Sequence, residues 1–323
     1  MSFKETRRAI IAKVAHHQVK NSYPNKQLIF SLRGGLCNKL LCLFSACDIA
    51  LKHHIYLVEP EFGWHKKIAF SDIYDIDYFN NEMRKHFGGE NLMISRSKVS
   101  SKKLCNLLNF KVRHNILNLW TYSETIVKAE RKTATLHANS TKMKVLKALK
   151  LRSEYETIVN TYLTENLGAA IQVRTESDWQ KYANDRKLAD VNDRIFVGLD
   201  ELLNMLHEVV SPGHLFFTSG QNHAEITEQL KLRNYSSDFF YDPALEYEIN
   251  AAINFEICSR AKLFIGNSHS TFSNLISLKR ALFFEHDESY IYNYGGKIYR
   301  RIDMGVQVDG HDSVMKRTHV ISS

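Results

Sequence analysis

The sequence predicts an α/β protein built from two doubly wound, Rossmann-like domains that face each other across a cleft. Three observations favour this fold. Short apolar runs alternate with segments of helical spacing in both halves, small-residue turns follow the runs QLIFSL and KLFIG, and the charge balance changes near residue 165. We therefore expect a first domain over residues 1–165, a second over 166–300, and a C-terminal tail over 301–323.

The composition argues against several classes of protein. A chain of 323 residues with 44% hydrophobic and 24% charged residues is typical of a soluble globular protein. Neither a membrane-spanning run nor a secretion signal is visible. The cysteines (Cys37, Cys42, Cys47, Cys105 and Cys258) lack the number and spacing of a disulfide framework or a zinc site. We expect a reduced, cytoplasmic protein without a transmembrane segment; peripheral attachment to a membrane is left open.

The net charge of +8 is concentrated in the first half of the chain. Up to Glu165 there are 27 Lys and Arg against 14 Asp and Glu, whereas the rest of the chain has 16 against 21. Such asymmetry is compatible with an anionic partner of the basic half, either nucleic acid, a membrane surface or an acidic glycan. A specific nucleic-acid site is not expected, because the basic residues are dispersed and no nucleic-acid motif accompanies them. A solvated surface is the simpler interpretation.

The first half begins with a predicted βαβ unit. The apolar run Gln27 to Leu32 indicates a strand, the segment LLCLFSACDIALKHH a helix, and IYLVEP a second strand. The turn between strand and helix, Gly34-Gly35-Leu36-Cys37-Asn38-Lys39, has neither the G-x-G-x-x-G nor the G-K-[ST] phosphate motif. Residues 71–80 are expected to form a loop with one helical turn.

Residues 81–150 are basic and carry little pattern. A helix is predicted near residue 145, with Met143, Val145, Leu146 and Leu149 towards the core. Its lysines (Lys142, Lys144, Lys147 and Lys150) are expected on an exposed face.

The second half predicts a parallel sheet, because strands and helices alternate. The predicted strands are AAIQVR, HLFFTS, DFFYDP, KLFIGN and ALFFEH, with helices near 200–210, 222–232 and 246–261 and a further helix after Asn267. Ligands of such sheets bind at the carboxyl ends of the strands. Arg174, Ser219 and Asn267 lie just beyond such ends, and Asn38 has the same position in the first half.

The residues at these ends fit a diphosphate. Arg174 supplies a permanent charge and a donor fork, and the helix that begins near Ser268, Ser270 and Thr271 supplies backbone N–H groups. The alternatives are ordinary capping by these hydroxyls, a salt bridge from Arg174 to Asp178, and a turn or capping role for Asn38. No metal-ligand spacing and no Gly-x-Ser-x-Gly motif is present.

Three separated motifs resemble the GDP-fucose-dependent fucosyltransferases related to protein O-fucosyltransferases and the rhizobial nodulation α1,6-fucosyltransferase. The turn G-G-L-C-N-K resembles their Gly-x-x-Gly-Asn-Gln turn. The segment Q-V-R-T-E-S-D-W resembles their His-x-Arg-x-x-x-Asp-Trp motif, and F-I-G-N-S-H-S-T-F-S resembles their Phe-Ile-Gly-Asn-x-x-Ser-Ser-Phe segment. The motifs occur in the family's order between residues 27 and 285, with 81–165 unmatched.

The resemblance implies a GT-B glycosyltransferase that is inverting and needs no metal. It implies an acceptor-side first domain, a nucleotide-sugar-binding second domain, GDP-fucose as donor and a glycan or glycoconjugate as acceptor. By position, Arg174 would hold the β-phosphate, and Asn38 would orient the donor or acceptor near the anomeric carbon. Substrate-binding residues would be Gly34, Gly35, Gln172, Asp178, Asn254, Glu256, Asn267, Ser268, Ser270, Thr271 and Phe272.

Several positions depart from the family pattern. The family's Gly-Asn-Gln is Cys37-Asn38-Lys39 here, and Gln172 stands where the family has His. Asn254 stands where relatives carry an Asp that pairs with guanine, which leaves the donor open. Glu256 is a candidate substitute, and a UDP-linked deoxysugar or pentose is an alternative donor. For the acceptor base, Glu59 and Glu61 are candidates, with surface carboxylates as the simpler interpretation, and Asp178 is interpreted as orienting Arg174.

Two further functions belong to other classes. A non-catalytic module could use the same cleft to bind a glycan or protein, and the basic half could bind an anionic surface. Donor hydrolysis would distinguish an enzyme from the non-catalytic module. A steep salt dependence of binding would identify the basic half as a binder of anionic surfaces.

Overall fold

The computed structural model describes residues 27–30, 32, 34–63, 66–99, 141–163, 167–186, 188, 191–284, 288–301 and 318–320. The chain divides into two compact units: Met1–Ser153 with Glu246–Glu248, and Glu154–Leu245 with Ile249–Ser323. The sequence-based boundary after residue 165 falls within the second unit. Most of the basic segment before residue 141, including Cys105, lies outside the described residues. No helix in the described part of the chain is long and apolar enough to cross a membrane.

The first unit contains a three-stranded sheet in the order β1-β2-β3, with both strand pairs parallel. Its elements are β1 (Gln27–Leu28), α1 (Leu36–His53), β2 (Tyr56–Val58), α2 (Phe70–Ile73), α3 (Ile76–Arg84), β3 (Met93–Ile94) and α4 (Thr141–Ala148). The predicted βαβ unit is confirmed, although β1 is shorter than the apolar run that predicts it. Small residues let α1 pack closely, since Ala46, Cys47 and Ala50 are fully buried.

Two local predictions in the first unit are wrong. The segment expected to be a loop with one helical turn forms α2 and α3, because Asp75 accepts a hydrogen bond from the Tyr78 N–H at 2.9 Å and caps α3. The helix near residue 145 is confirmed as α4, and its apolar side chains are buried. However, Lys142 is buried as well, because α4 packs against both α1 and α3 and this flank is covered.

The second unit contains a seven-stranded sheet in the order β10-β9-β8-β7-β4-β5-β6. Its strands are β4 (Ala169–Gln172), β5 (His214–Thr218), β6 (Ser236–Asp238), β7 (Leu263–Gly266), β8 (Ser289–Tyr294), β9 (Lys297–Arg301) and β10 (Thr318–Val320). Its helices are α5 (Ser153–Tyr162), α6 (Ser177–Asn184), α7 (Leu199–Leu206), α8 (His223–Leu232), α9 (Tyr247–Arg260) and α10 (Thr271–Phe283). The pairs within β8-β7-β4-β5-β6 are all parallel, in line with the predicted parallel sheet, whereas β9 pairs antiparallel with β8 and β10 antiparallel with β9.

The last predicted strand, ALFFEH, is wrong. Its first residues complete α10, which ends at Phe283, and the strand beside β7 is instead the segment SYIYNY of β8. The predicted strand DFFYDP is displaced, because β6 ends at Asp238. Residues 301–323, treated as a tail in the sequence analysis, include β10, which pairs with β9.

A buried arginine ties β7 to β8. Arg280 has no exposed surface, and its guanidinium donates to the carbonyl oxygens of Ala261, Lys262 at 2.7 Å and Glu288 at 3.1 Å. These carbonyls precede the two strands. A buried cation surrounded by carbonyl oxygens satisfies several backbone acceptors that no helix or strand would pair.

The end of β7 and the first turn of α10 approach each other very closely. A Cβ atom on Gly266 would lie 2.2 Å from Ser273 Oγ and 2.6 Å from Ser273 Cβ. Gly266 is therefore required for the approach of the helix to the strand end, and this approach fixes the turn at Asn267 to Ser270.

We predict that Gly266→Ala lowers the free energy of unfolding by about 2 kcal/mol, because the added methyl group overpacks this contact. Urea denaturation followed by circular dichroism measures the change. The matched control is Gly213→Ala, since a Cβ there would meet its nearest atom at 3.8 Å, an ordinary contact. Equal effects of the two substitutions would contradict the packing argument.

Candidate functional site

The candidate site lies at the carboxyl ends of four neighbouring strands of the second unit. Arg174 follows β4, Gly220 follows β5 and Asn267 follows β7, and β8 contributes Asn293 close to its own end. The four strands run parallel, with Gln172 paired to Thr218 and Gly266 paired to Ile291, so their ends share one edge of the sheet.

Arg174 is held by an aromatic ring and a carboxylate. Its guanidinium lies over the Trp179 ring at 4.3 Å from the centroid, and its Nε is 3.3 Å from Glu176 Oε2. Glu176 Oε1 accepts the Gly220 N–H at 2.7 Å, which fixes the carboxylate. In the described part of the chain, Arg174 Nε and Glu176 Oε2 are buried without a geometrically satisfactory hydrogen bond. The arginine is thus positioned, but its hydrogen-bonding capacity is not used up.

The expected pairing of Arg174 with Asp178 is not what the structure has. The recorded ion pair is with Glu176, whereas Asp178 is exposed in the first turn of α6. The reason is local: the chain turns at Glu176 into α6, so residue 176 faces the sheet edge and residue 178 faces solvent.

One backbone carbonyl couples the loops that follow β4 and β7. The Ile195 carbonyl accepts a hydrogen bond from Trp179 Nε1 at 2.9 Å and from Asn267 Nδ2 at 2.8 Å. Asn267 Oδ1 in turn accepts the His269 N–H at 2.9 Å. The indole that supports Arg174 and the turn that starts α10 are therefore fixed to the same point.

Tyr292 on β8 is buried beneath this edge of the sheet. Burial raises the pKa of the Tyr292 hydroxyl, whereas the nearby Asn267 side chain and the Arg174 guanidinium act in the opposite direction. The packing of Arg174 on Trp179 and the shared Ile195 carbonyl bring Arg174 and the turn at Asn267 together within one unit.

The start of α10 is open. Ser270 is the N-cap residue, but its side chain makes no capping hydrogen bond, so the capping expected of this hydroxyl is wrong. Ser268 is occupied differently: its N–H donates to Asn293 Oδ1 at 2.8 Å, and its hydroxyl accepts from Asn293 Nδ2 at 2.9 Å. No acceptor within the described residues is recorded for the amides of residues 271–273. These are the donors that a helix start offers to an anion.

Gln172 and Phe272 have packing roles. Gln172 Oε1 accepts a hydrogen bond from the Ser273 hydroxyl, which also accepts the Asn267 N–H at 3.1 Å. Phe272 packs edge-to-face on Phe255, with centroids 5.7 Å apart. Both residues support the turn and the start of α10 from within.

Asn254 and Glu256 lie on α9 and differ in their surroundings. Asn254 Nδ2 donates to the carbonyls of Phe240 at 3.0 Å and Asn250 at 2.8 Å, whereas its Oδ1 is buried without a partner among the described residues. Glu256 pairs through one oxygen with Lys279 and through the other with Arg260. Both carboxylate oxygens of this buried side chain are therefore already paired with cations, and its use in place of a base-binding carboxylate is not supported.

The first unit places its motif at the start of α1. Gly34 has a φ of 76°, and a Cβ there would lie 2.9 Å from Asn38 Nδ2, so the asparagine packs on the glycine turn. Gly35 is the N-cap residue of α1, and Asn38 lies in its first turn. Lys39 is buried and pairs with Glu248. The catalytic role of Asn38 stays a prediction.

The candidate acceptor bases already have partners. Glu59 is buried, not at the surface, and its Oε1 accepts the Ser71 N–H at 2.8 Å. Glu61 pairs with Arg96 at 3.5 Å and with Lys67 at 3.6 Å.

Sequence reasoning missed Glu176, Asp193, Tyr292 and Asn293. The last two were missed because the strand that carries them was placed earlier in the chain, and Asp193 lies in a loop without periodicity. Among the residues that the structure describes, no group of three or more His, Cys, Asp or Glu side chains is arranged for a metal ion.

The fold has solved relatives, although no protein-family model and no curated protein matches the sequence. POFUT1 in complex with GDP superimposes with a TM-score of 0.55 at 16% identity, covering 84% of this chain and 99% of that chain. POFUT1 in complex with GDP-fucose gives 0.52 at 14%, covering 81% and 96%. The fucosyltransferase NodZ from Bradyrhizobium gives 0.51 at 13%, covering 84% and 97%. The chain therefore has the GT-B fold of these fucosyltransferases.

Proposed function

We propose that the protein is an inverting, metal-independent fucosyltransferase that moves L-fucose from GDP-fucose to a hydroxyl group of a glycan or glycoconjugate. The observation that carries this proposal is the meeting of Arg174 with the turn before the open start of α10 at one sheet edge, where Trp179 under Arg174 and the Asn267 side chain share the Ile195 carbonyl. The fold adds support, because solved structures of POFUT1, which share it, are complexes with GDP or GDP-fucose.

The diphosphate would be bound by Arg174 and by the backbone amides of Thr271 and Phe272. As the bond between the anomeric carbon and the β-phosphate oxygen breaks, negative charge develops on the departing diphosphate. A positioned guanidinium and free N–H groups stabilise such charge without a metal ion. Trp179 and Glu176 would keep the guanidinium in place, so little reorganisation would be needed during the reaction.

The base would be read by Asn254. Its amino group is committed to two backbone carbonyls, so only its buried, unpartnered oxygen remains as an acceptor for the base. An oxygen acceptor of this kind suits the N–H edge of guanine. An aspartate at this position would instead place a carboxylate oxygen, which cannot donate, next to the same two carbonyl oxygens. A uracil N–H would also fit this oxygen, so a UDP-linked sugar is the alternative donor.

Inversion at the anomeric carbon requires the acceptor oxygen to attack from the face opposite to the departing diphosphate. A role of Asn38 in orienting the donor or acceptor stays a prediction.

Arg174→Ala should weaken GDP binding roughly 10–100-fold, because a charge-assisted hydrogen bond to a phosphate contributes about 1.5–3 kcal/mol. Isothermal titration calorimetry measures the affinity, and the melting temperature without ligand reports the fold. The matched control is Arg233→Ala, since Arg233 also pairs with a carboxylate and its side chain is 24% exposed, against 22% for Arg174. Full GDP affinity in Arg174→Ala would contradict the assignment.

A panel of nucleotide sugars should show turnover with GDP-fucose above all others. We expect slow hydrolysis of this donor without acceptor, with its rate unchanged by EDTA, because the cationic groups of the site belong to the protein. Release of the nucleoside diphosphate is followed enzymatically, and NMR of the initial sugar product reports its anomeric configuration. Preference for a UDP-sugar would identify the alternative donor, whereas retention of configuration or loss of activity with EDTA would contradict the mechanism.

A further inference from the structure

His269 and Asp193 form a buried pair beside the diphosphate site. His269 Nε2 lies 2.8 Å from Asp193 Oδ1, and the two side chains are 3% and 9% exposed. The His269 backbone N–H donates to Asn267 Oδ1 at 2.9 Å, so the residue is fixed at its backbone and at its ring. Asn293 Nδ2 also approaches Asp193 Oδ1, at 3.3 Å.

The pair leaves one ring nitrogen available. A carboxylate oxygen can only accept a hydrogen bond. His269 Nε2 therefore carries the hydrogen and donates a hydrogen bond to Asp193 Oδ1. The other nitrogen, Nδ1, is bonded to Cγ and therefore stays near the backbone of the turn that leads to Ser270. No partner of Nδ1 is recorded in the described part of the chain. A histidine held by a carboxylate through one nitrogen is oriented to act through the other.

Other charged groups in the described part of this edge form ion pairs, although Arg174 keeps hydrogen-bonding capacity for a ligand. Arg194, next to Asp193, forms two hydrogen bonds to Glu201, at 2.6 and 3.0 Å. Arg174 and Glu176 pair with each other at 3.3 Å. His269 is thus the ionisable group closest in sequence to the open amides of α10.

We propose that His269, held by Asp193, is a further residue that binds the β-phosphate of the donor by donating a hydrogen bond from Nδ1. This inference rests on the proposed function. In the bound state both ring nitrogens carry protons, one shared with Asp193 and one with a phosphate oxygen. The imidazolium then adds a second cationic donor to Arg174, at the group on which leaving-group charge accumulates.

The test compares GDP with GMP, because only GDP has the β-phosphate. His269→Asn should weaken GDP binding roughly 10-fold and GMP binding less than about 2-fold, since a hydrogen bond to a charged group would be lost for one ligand only. Asp193→Asn should change the GDP-to-GMP affinity ratio in the same direction, by roughly 3-fold. The imidazole would lose its carboxylate partner, whereas the hydrogen bond from the His269 backbone to Asn267 would still hold its position. Calorimetry on the full chain gives these affinities, and UDP with UMP replaces the ligands if the uracil nucleotides bind more tightly.

His214→Asn is the matched control. His214 lies 3.3 Å from Asp238 at the beginning of β5, the opposite end of the strand from the site, so its replacement should leave the affinity ratio unchanged. Equal weakening of GDP and GMP by His269→Asn, or no weakening, would assign the pair a structural role and overturn the inference. If Arg174→Ala removes GDP binding in the same experiment, the proposed function survives that result. If the wild-type protein binds neither GDP nor UDP, both proposals fail.

Discussion

The contact of the Arg174 guanidinium with the Trp179 ring organises the sheet edge of the second unit. Cation–π contacts of this kind contribute roughly 0.5–2 kcal/mol, but here the geometric effect matters more. The same indole donates to the Ile195 carbonyl, which also accepts from Asn267. A displacement of the indole would therefore move the arginine and the turn before α10 together. The cation and the helix start are parts of one rigid arrangement.

The sequence predicted this edge because parallel strands leave little freedom in where their ends lie. Once AAIQVR and KLFIGN are interpreted as neighbouring strands of one parallel sheet, Arg174 and Asn267 must come close, and the β4–β7 pairing and the shared Ile195 carbonyl bring them together. β8 was not predicted, because the apolar segment ALFFEH suits a strand as well as the end of a helix. Tyr292 and Asn293 lie on β8 and were therefore missed as well, although both contact the turn.

Charged side chains were the least predictable part of the site. Residue type does not specify a partner, and the choice between Glu176 and Asp178 depends on the residue at which α6 begins. Glu256 is partly a similar case: its pairing with Arg260 follows the local i,i+4 spacing of α9, whereas its pairing with Lys279 on α10 joins distant residues that no local pattern encodes. The anionic partner of the basic half stays a prediction, since much of that half lies outside the described residues, and so does the cytoplasmic location.

A crystal structure of the protein with GDP tests the central claim most directly. The account predicts β-phosphate oxygens within about 3 Å of the Arg174 guanidinium and of the amide nitrogens of Thr271 or Phe272. Density for GDP at this sheet edge with the phosphates turned away from Arg174, or GDP bound elsewhere on the molecule, would contradict it.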